Sequence, residues 1–81
     1  MERKTGQCLC GAVTFSADVA AEIQACHCTQ CQRWTGGGPL YAVRVKNLEL
    51  AGEESIHSYC HSEWGERANC KTCGSTLYWK L

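Results

Sequence analysis

The chain has 81 residues, with eight acidic and eight basic side chains, so it lacks the basic face that binding to nucleic-acid phosphates requires. Its eight cysteines are a density typical of disulfide-bonded or metal-binding domains. No apolar segment follows residues 1–4, and no apolar run is long enough to span a membrane. We therefore expect one small domain over residues 1–81, located in the reducing cytoplasm, where thiols bind metal more often than they pair.

The N-terminal third is predicted to be mostly extended. Residues 1–5 are polar and are expected to fray. In an extended segment residues i and i+2 point the same way, so Cys8 and Cys10 could face one ion. The pattern then predicts a half-buried strand over 12–17, a connection over 18–22 and a second strand over 23–26.

The central segment from Cys26 to Cys31 reads C-H-C-T-Q-C and places three thiols within six residues. This spacing cannot be closed into a compact disulfide set without leaving one of the three sulfurs unpaired, whereas it suits one metal ion held from one side. Three thiolates with an open fourth position are the ligand count of a reactive zinc, because structural zinc closes all four positions. The competing interpretation is a second closed zinc site completed by His27 or His61.

The segments after this centre are predicted from turn residues and alternation. Thr29 is expected to cap a short helical turn that runs to Arg33. The glycines at 36–38 end that turn, and their backbone could approach a ligand closely. Further strands are predicted over 40–45, 48–50, 56–61 and 76–81, with turns at Asn47 and 51–54.

A second cysteine pair, Cys70 and Cys73, lies in a C-x-x-C-G segment typical of a zinc-knuckle turn. Together with Cys8 and Cys10 it offers four thiolates, the ligand set of one closed tetrahedral zinc. Zinc binding to such a set is worth about 10–16 kcal/mol, more than a core this small supplies. Cys60 is left over and is expected to be a small buried apolar residue.

Three motifs together carry a resemblance to a known family. They read G-x-C-x-C-G-A-V over 6–13, C-H-C-x-x-C-x-R-x-T-G over 26–36, and E-R-x-x-C-x-x-C-G-S-x-L over 66–77. In this order and spacing they resemble the glutathione-dependent formaldehyde-activating enzyme (GFA) family. Family domains continue past the third motif with further strands, so the chain resembles a short or C-terminally truncated member.

The resemblance implies a mainly β, zinc-stapled Mss4-like (β-tent) fold of short antiparallel strands. It implies a structural Zn²⁺ on the first and last cysteine pairs and a catalytic Zn²⁺ on the middle three. Because three thiolates donate much charge to zinc, the catalytic ion could be weakly held. The structural ligands would be Cys8, Cys10, Cys70 and Cys73, and the catalytic ligands Cys26, Cys28 and Cys31.

The activity implied by the resemblance is that of a carbon–sulfur lyase. Members are similar to enzymes that condense glutathione with formaldehyde, so the expected partners are a small thiol and a small aldehyde. Arg33, Gly36 and Gly37 are the candidate ligand contacts, since the forked donors of Arg33 could bind a carboxylate of a glutathione-like molecule. A solvated arginine and a merely flexible glycine segment are the alternatives.

Two other functions are compatible with the same residues. One is a zinc-binding interaction module without catalysis, and the other is a zinc store that uses the middle three cysteines. No nucleic-acid or membrane partner is expected. An open sheet edge could pair with a second copy of the chain and give a homo-oligomer.

Overall fold

The computed structural model describes residues 1–60 and 62–80, and this part of the chain is mainly β. The described elements are β1 (Glu2–Gln7), β2 (Thr14–Cys26), α1 (Thr29–Thr35), β3 (Leu40–Ala51), a 3-10 turn (Glu53–Ser55), β4 (Ile56–Cys60), β5 (Glu66–Cys70) and β6 (Thr76–Lys80). The strands form two three-stranded sheets, in the orders β1-β2-β3 and β4-β5-β6. This architecture confirms the mainly β fold class that the family resemblance implied and agrees with a small Mss4-like fold.

The chain divides into two compact units. The first comprises Met1–Lys4 and Ala17–Leu48 and contains the three cysteines of the central segment. The second comprises Thr5–Ser16 and Glu49–Leu81 and contains the other two cysteine pairs. No helix within the described residues has both the length and the apolar character needed to cross a membrane.

The core of the second unit is small and rich in sulfur. Its buried centre consists of Cys8, Val13 and Cys70. Partly buried apolar residues pack against that centre, namely Ala12, Leu50, Ile56, Cys73 and Leu77. Two of the three central residues are cysteines of the predicted ligand set, so the core and the candidate metal site are the same part of this unit.

An antiparallel meander, β4-β5-β6, positions the last cysteine pair. Strand β5 is central, and Cys70 at its end lies opposite Ile56 of β4. The pairing of β5 with β6 shifts register between Ala68 and Asn69, which is a β-bulge or similar irregularity. Such a shift bends a strand locally. The chain leaves β5 at Cys70 and enters the turn that holds Cys73.

Several local predictions for the first unit are wrong. Residues 1–5 do not fray but enter β1, and the predicted connection over 18–22 lies within the continuous strand β2. Asn47 does not begin a turn, because β3 runs through it with a left-handed φ of 53°. A polar network of Arg3, Asp18 and Asn47 explains these differences. Arg3 Nη1 is 3.2 Å from Asp18 Oδ1 and donates to the Asn47 carbonyl oxygen at 2.9 Å. Asn47 Nδ2 in turn donates to Asp18 Oδ2 at 2.7 Å.

Candidate metal centres

Four sulfur atoms of the second unit converge on one point. The Sγ atoms of Cys8, Cys10, Cys70 and Cys73 all lie within 4.8 Å of one another. The Cys8–Cys10 sulfur distance is 3.7 Å and the Cys10–Cys70 distance is 3.8 Å. A tetrahedral zinc with Zn–S bonds of about 2.3 Å has sulfur–sulfur edges of about 3.8 Å, whereas a disulfide would bring two sulfurs to about 2.05 Å. The described thiols are free, and this group fits a single four-coordinate ion.

The first pair is positioned by a tight turn. The prediction that Cys8 and Cys10 lie on an extended segment is wrong, because the chain turns between them. Gly11 N–H donates to the Cys8 carbonyl oxygen at 3.1 Å, and Gly11 adopts a φ of 80° that favours glycine. Val13 N–H points at the Cys8 sulfur, with a nitrogen–sulfur distance of 3.4 Å. The turn thus aims a backbone donor at a ligand sulfur.

The second pair forms the expected knuckle turn. Gly74 N–H donates to the Cys70 carbonyl oxygen, and Cys70 N–H donates to the Ser75 carbonyl oxygen, both at 2.9 Å. The hydroxyl oxygen of Ser75 accepts from Leu9 N–H at 3.0 Å and lies 3.1 Å from the Cys73 sulfur. Ser75 therefore links the two turns, a role that the sequence analysis missed. Its only sequence signal was the serine after C-x-x-C-G.

Hydrogen bonds favour the thiolate, the form that binds metal, at two of these four cysteines. The hydroxyl of Ser75, and then its backbone amide, lower the pKa of Cys73 to about 5. Donation from Val13 N–H lowers the pKa of Cys8. The Ala12 amide favours the Cys10 thiolate, but burial and the three neighbouring sulfurs outweigh it and raise the pKa of Cys10 to about 11. Without a positive ion the group retains protons, and a divalent ion would displace them.

Three further sulfur atoms converge in the first unit. The Sγ atoms of Cys26, Cys28 and Cys31, called the trio below, lie within 4.8 Å of one another. Cys26 is the last residue of β2, Cys28 immediately precedes α1, and Cys31 lies in the first turn of that helix. Cys26 and Cys28 are exposed, while Cys31 is only 3% exposed. The trio therefore offers three ligands and faces solvent on one side.

The start of α1 differs from the prediction. The helix is capped by Cys28 rather than by Thr29, because the Cys28 sulfur accepts from Cys31 N–H at 3.3 Å. This amide, followed by the Cys31 thiol, lowers the pKa of Cys28 to about 7. A substantial fraction of Cys28 is therefore thiolate near neutral pH, and thiolate is the form that binds metal.

Side chains of α1 donate hydrogen bonds to the backbone within the trio and just after the helix. Gln32 Nε2 donates to the carbonyl oxygen of His27, the residue between the first two thiols, at 2.9 Å. The Thr35 hydroxyl lies 3.0 Å from the Cys31 carbonyl oxygen and 2.7 Å from the Gly38 carbonyl oxygen, so both can accept its proton. Gln32 and Thr35 were not predicted from the sequence, because their partners are backbone atoms that no motif reveals.

The chain is similar in sequence to known proteins. The family model described as glutathione-dependent formaldehyde-activating enzyme matches residues 3–81. The chain belongs to this family. An uncharacterized lyase of Schizosaccharomyces pombe is 30% identical over 79 residues, which cover 96% of this chain and 58% of that relative. The GFA chain thus spans 58% of the length of the curated relative it matches. No solved structure gives a significant match.

The remaining predicted site residues of the GFA chain lie close to the trio in sequence. Arg33 is exposed in the last turn of α1. Gly36 and Gly37 have φ values of 90° and 120°, and no atom lies within 4 Å of a Cβ built on either. The loop is therefore open to solvent on that side, which leaves space for a ligand.

Among the residues that the structure describes, His27, His57 and Cys60 do not join either sulfur group. Among the described residues each group consists of cysteines alone, and His27 is exposed beside the trio. His61, the other candidate fourth ligand, lies outside the described residues. The prediction that Cys60 is buried is wrong, because it is exposed at the end of β4, opposite Glu66.

Proposed function

We propose that this chain is a zinc-dependent, carbon–sulfur lyase-like protein. It would condense a small thiol, glutathione or a similar compound, with formaldehyde or another small aldehyde, and cleave the adduct in the reverse direction. The observation that carries the proposal is the difference between the two sulfur groups: one has four converging sulfurs and the other has three with two exposed members. Family membership and the lyase name of the relative support the reaction class.

The chain's cysteines would hold two ions with different roles. The four-sulfur group would hold a structural zinc, and the trio would hold the reactive one. When bound with an open coordination position, zinc lowers the pKa of a coordinated thiol and polarises a carbonyl oxygen. The amide of Cys31, which favours thiolate at Cys28, prepares the trio for binding at neutral pH.

The surrounding residues of the first unit would orient the substrate. Gln32 fixes the carbonyl of His27 and so restricts the turn between the first two ligands. The Thr35 hydroxyl bonds to backbone on both sides of the end of α1, which limits movement of the glycine loop. The open side of that loop could receive the peptide-like part of a thiol, and Arg33 could bind its carboxylate.

A second function, exchangeable zinc storage, is favoured by one specific observation. Cys26 and Cys28 are exposed, so a competing chelator can reach an ion held by the trio. A storage protein would release that ion rapidly and would not accelerate any thiol–aldehyde reaction. The lyase-like protein would accelerate the reaction while the ion stays bound.

An exchange measurement at equilibrium distinguishes these functions. Glutathione and formaldehyde interconvert with their adduct even without protein. Magnetisation-transfer NMR measures the rate of this exchange, first without protein and then with the zinc-loaded chain added. We expect faster exchange with the wild-type chain and with Cys60→Ser, an exposed thiol in neither sulfur group. Cys28→Ser should return the rate to the protein-free value while circular dichroism stays unchanged. A wild-type rate equal to the protein-free rate at full zinc loading would overturn the lyase proposal.

A further inference from the structure

We propose a further activity for the trio: Cys28 and Cys31 form a dithiol that reduces low-molecular-weight disulfides, and this reaction releases the ion that the trio holds. The ion-release part rests on the proposed metal site at the same three cysteines. The disulfide reaction itself depends only on the arrangement and exposure of the sulfurs.

The placement of the two thiols supports this reaction. Cys28 and Cys31 form a C-x-x-C segment at the start of α1, a spacing found in dithiol redox motifs. Their sulfurs lie within 4.8 Å, and Cys31 N–H donates to the Cys28 sulfur at 3.3 Å. Residues three apart at the start of a helix are close enough for a disulfide to form without moving another element.

The difference in exposure assigns a role to each thiol. Cys28 is exposed and can meet an external disulfide, whereas Cys31 is 3% exposed and can react only with a sulfur beside it. The Cys28 thiolate attacks one sulfur of the disulfide RSSR, forming a Cys28–S–S–R bond and releasing RS⁻. The Cys31 thiolate then attacks the Cys28 sulfur, forming the Cys28–Cys31 disulfide and releasing the second RS⁻.

This exchange is balanced and has a consequence for the ion. Two electrons pass from the protein dithiol to RSSR, which is the oxidant and leaves as two thiolates. Only Cys26 then remains as a thiolate of the trio, and one ligand cannot retain zinc. The proposed substrate is a thiol, so the oxidised, disulfide form of that thiol would inactivate the trio by releasing its ion. The activity of the trio would then depend on the ratio of substrate thiol to its disulfide.

The chain contains an internal comparison at its other C-x-x-C segment. Cys70 and Cys73 have the same spacing, but Cys70 is fully buried and Cys73 is partly buried beside Ser75. Both also belong to the four-sulfur group, in which an ion would have no open position. Cys10 of this group is exposed, but the two thiols that share the C-x-x-C spacing are shielded from an external disulfide. The external disulfide should therefore oxidise the trio and leave the Cys70–Cys73 pair reduced.

The test uses the full chain, zinc-loaded and carrying Cys60→Ser so that this exposed thiol does not form mixed disulfides. Oxidised glutathione is the probe, and a chromogenic chelator reports free zinc. We expect release of the ion of the trio alone, a Cys28–Cys31 disulfide by peptide mapping, and unchanged circular dichroism. A thiol reductant should reverse the oxidation and permit reloading with zinc.

Two variants separate the steps. Cys26→Ser removes a ligand but keeps the dithiol, so it should still form the Cys28–Cys31 disulfide. Cys31→Ser combined with Cys26→Ser, which leaves Cys28 as the last thiol of the trio, should stop at a stable adduct of glutathione on Cys28. Either of two results would overturn the inference. One is a disulfide mapped to Cys70–Cys73. The other is a trio that stays fully reduced under conditions in which Cys60 of the unmodified chain reacts completely.

The outcome can be told apart from failure of the lyase proposal. A chain that accelerates thiol–aldehyde exchange when reduced but resists oxidised glutathione would contradict only the dithiol activity. A chain that forms the Cys28–Cys31 disulfide and loses its ion, yet never accelerates that exchange, would support the dithiol activity and contradict the lyase function.

Discussion

The sulfur atoms of Cys10 and Cys70 lie 3.8 Å apart although 60 residues separate them in sequence. A hydrogen bond from Leu9 N–H to the Ser75 hydroxyl, at 3.0 Å, joins the same two segments beside this contact. Both contacts belong to a unit whose buried centre is Cys8, Val13 and Cys70. An ion held there would therefore close the chain and complete its core at the same time.

Replacement of Cys70 should accordingly unfold this unit. Cys70→Ser removes one of four ligands and places a hydroxyl in the fully buried position. Zinc binding to such a set is worth about 10–16 kcal/mol, comparable with the whole stability of an ordinary domain. We expect the variant to lose the structural ion and cooperative thermal unfolding, measured by metal analysis and circular dichroism.

The matched control is Cys60→Ser, which changes the same atom at an exposed position outside both sulfur groups. It should retain wild-type metal content and melting temperature. A Cys70→Ser chain that melts cooperatively near the wild-type temperature would contradict the structural assignment of the four-sulfur group.

Acidification should release the two ions in separate steps. The pKa of Cys28 is lowered from 9.0 to about 7 by the Cys31 amide and thiol, and that of Cys73 from 9.0 to about 5 by the Ser75 hydroxyl and amide. A thiol whose pKa is lowered on folding stabilises the folded state as a thiolate. This contribution to stability is complete above pH 9.0, the unfolded pKa, and is lost as the pH falls through the pKa of the folded state. The trio has one ligand fewer and two exposed sulfurs, so its ion should leave at the higher pH.

A chromogenic chelator added across a pH series measures this release. The step at higher pH should disappear in Cys28→Ser, and the step at lower pH should remain. Retention of the higher-pH step in Cys28→Ser would show that the assignment of the steps is wrong.

The cysteine groups could be predicted from sequence because their spacing is a local property. C-x-C, C-x-x-C and C-x-C-x-x-C each bring sulfurs together within one turn, and only the pairing of Cys8 and Cys10 with Cys70 and Cys73 required two distant segments. The cap of α1 could not be predicted in the same way. Capping preferences favour Thr29, whereas the sulfur of Cys28 accepts the backbone bond.

The length of β2 could not be predicted from the sequence for a different reason. Asp18 and the small residues after it interrupt the alternation that indicates a strand. The strand continues there because Asp18 accepts hydrogen bonds from Arg3 and Asn47, whose positions only the folded chain brings together. The exposure of Cys60 was missed because the general preference of cysteine for burial does not reveal where a strand ends.

Two glycines of the chain should respond very differently to alanine. Gly52 has a φ of 83°, and a Cβ built on it would overlap the carbonyl oxygen of Ala12. The left-handed conformation alone costs a residue with a Cβ about 1–2 kcal/mol, and backbone must move in addition. Gly52→Ala should therefore lower the melting temperature of the zinc-loaded chain substantially.

Gly38 is the matched control for this substitution. A Cβ built on it meets nothing within 4 Å, so Gly38→Ala should leave the melting temperature unchanged. Any change in thiol–aldehyde exchange in this variant would then report crowding of a bound ligand. Equal destabilisation by Gly38→Ala and Gly52→Ala would contradict the steric argument.

Asn47 should be replaceable by glycine more easily than by alanine. It adopts a φ of 53° within β3, where asparagine is tolerated and most side chains are strained. Its side-chain amide also donates to Asp18 at 2.7 Å. Asn47→Gly loses only the amide, whereas Asn47→Ala loses the amide and must also hold a Cβ in the left-handed conformation.

The difference between these two variants isolates the backbone term, because both lack the same hydrogen bond. We expect Asn47→Ala to be less stable than Asn47→Gly by about 1 kcal/mol in thermal unfolding at fixed zinc concentration and pH 7. Asp18→Asn removes the carboxylate of the network and leaves the positive φ of Asn47 unchanged. Its stability in thermal unfolding should therefore be similar to that of Asn47→Gly. Equal stability of the alanine and glycine variants would mean that β3 can relax at this residue, and it would contradict the expected cost of the left-handed conformation.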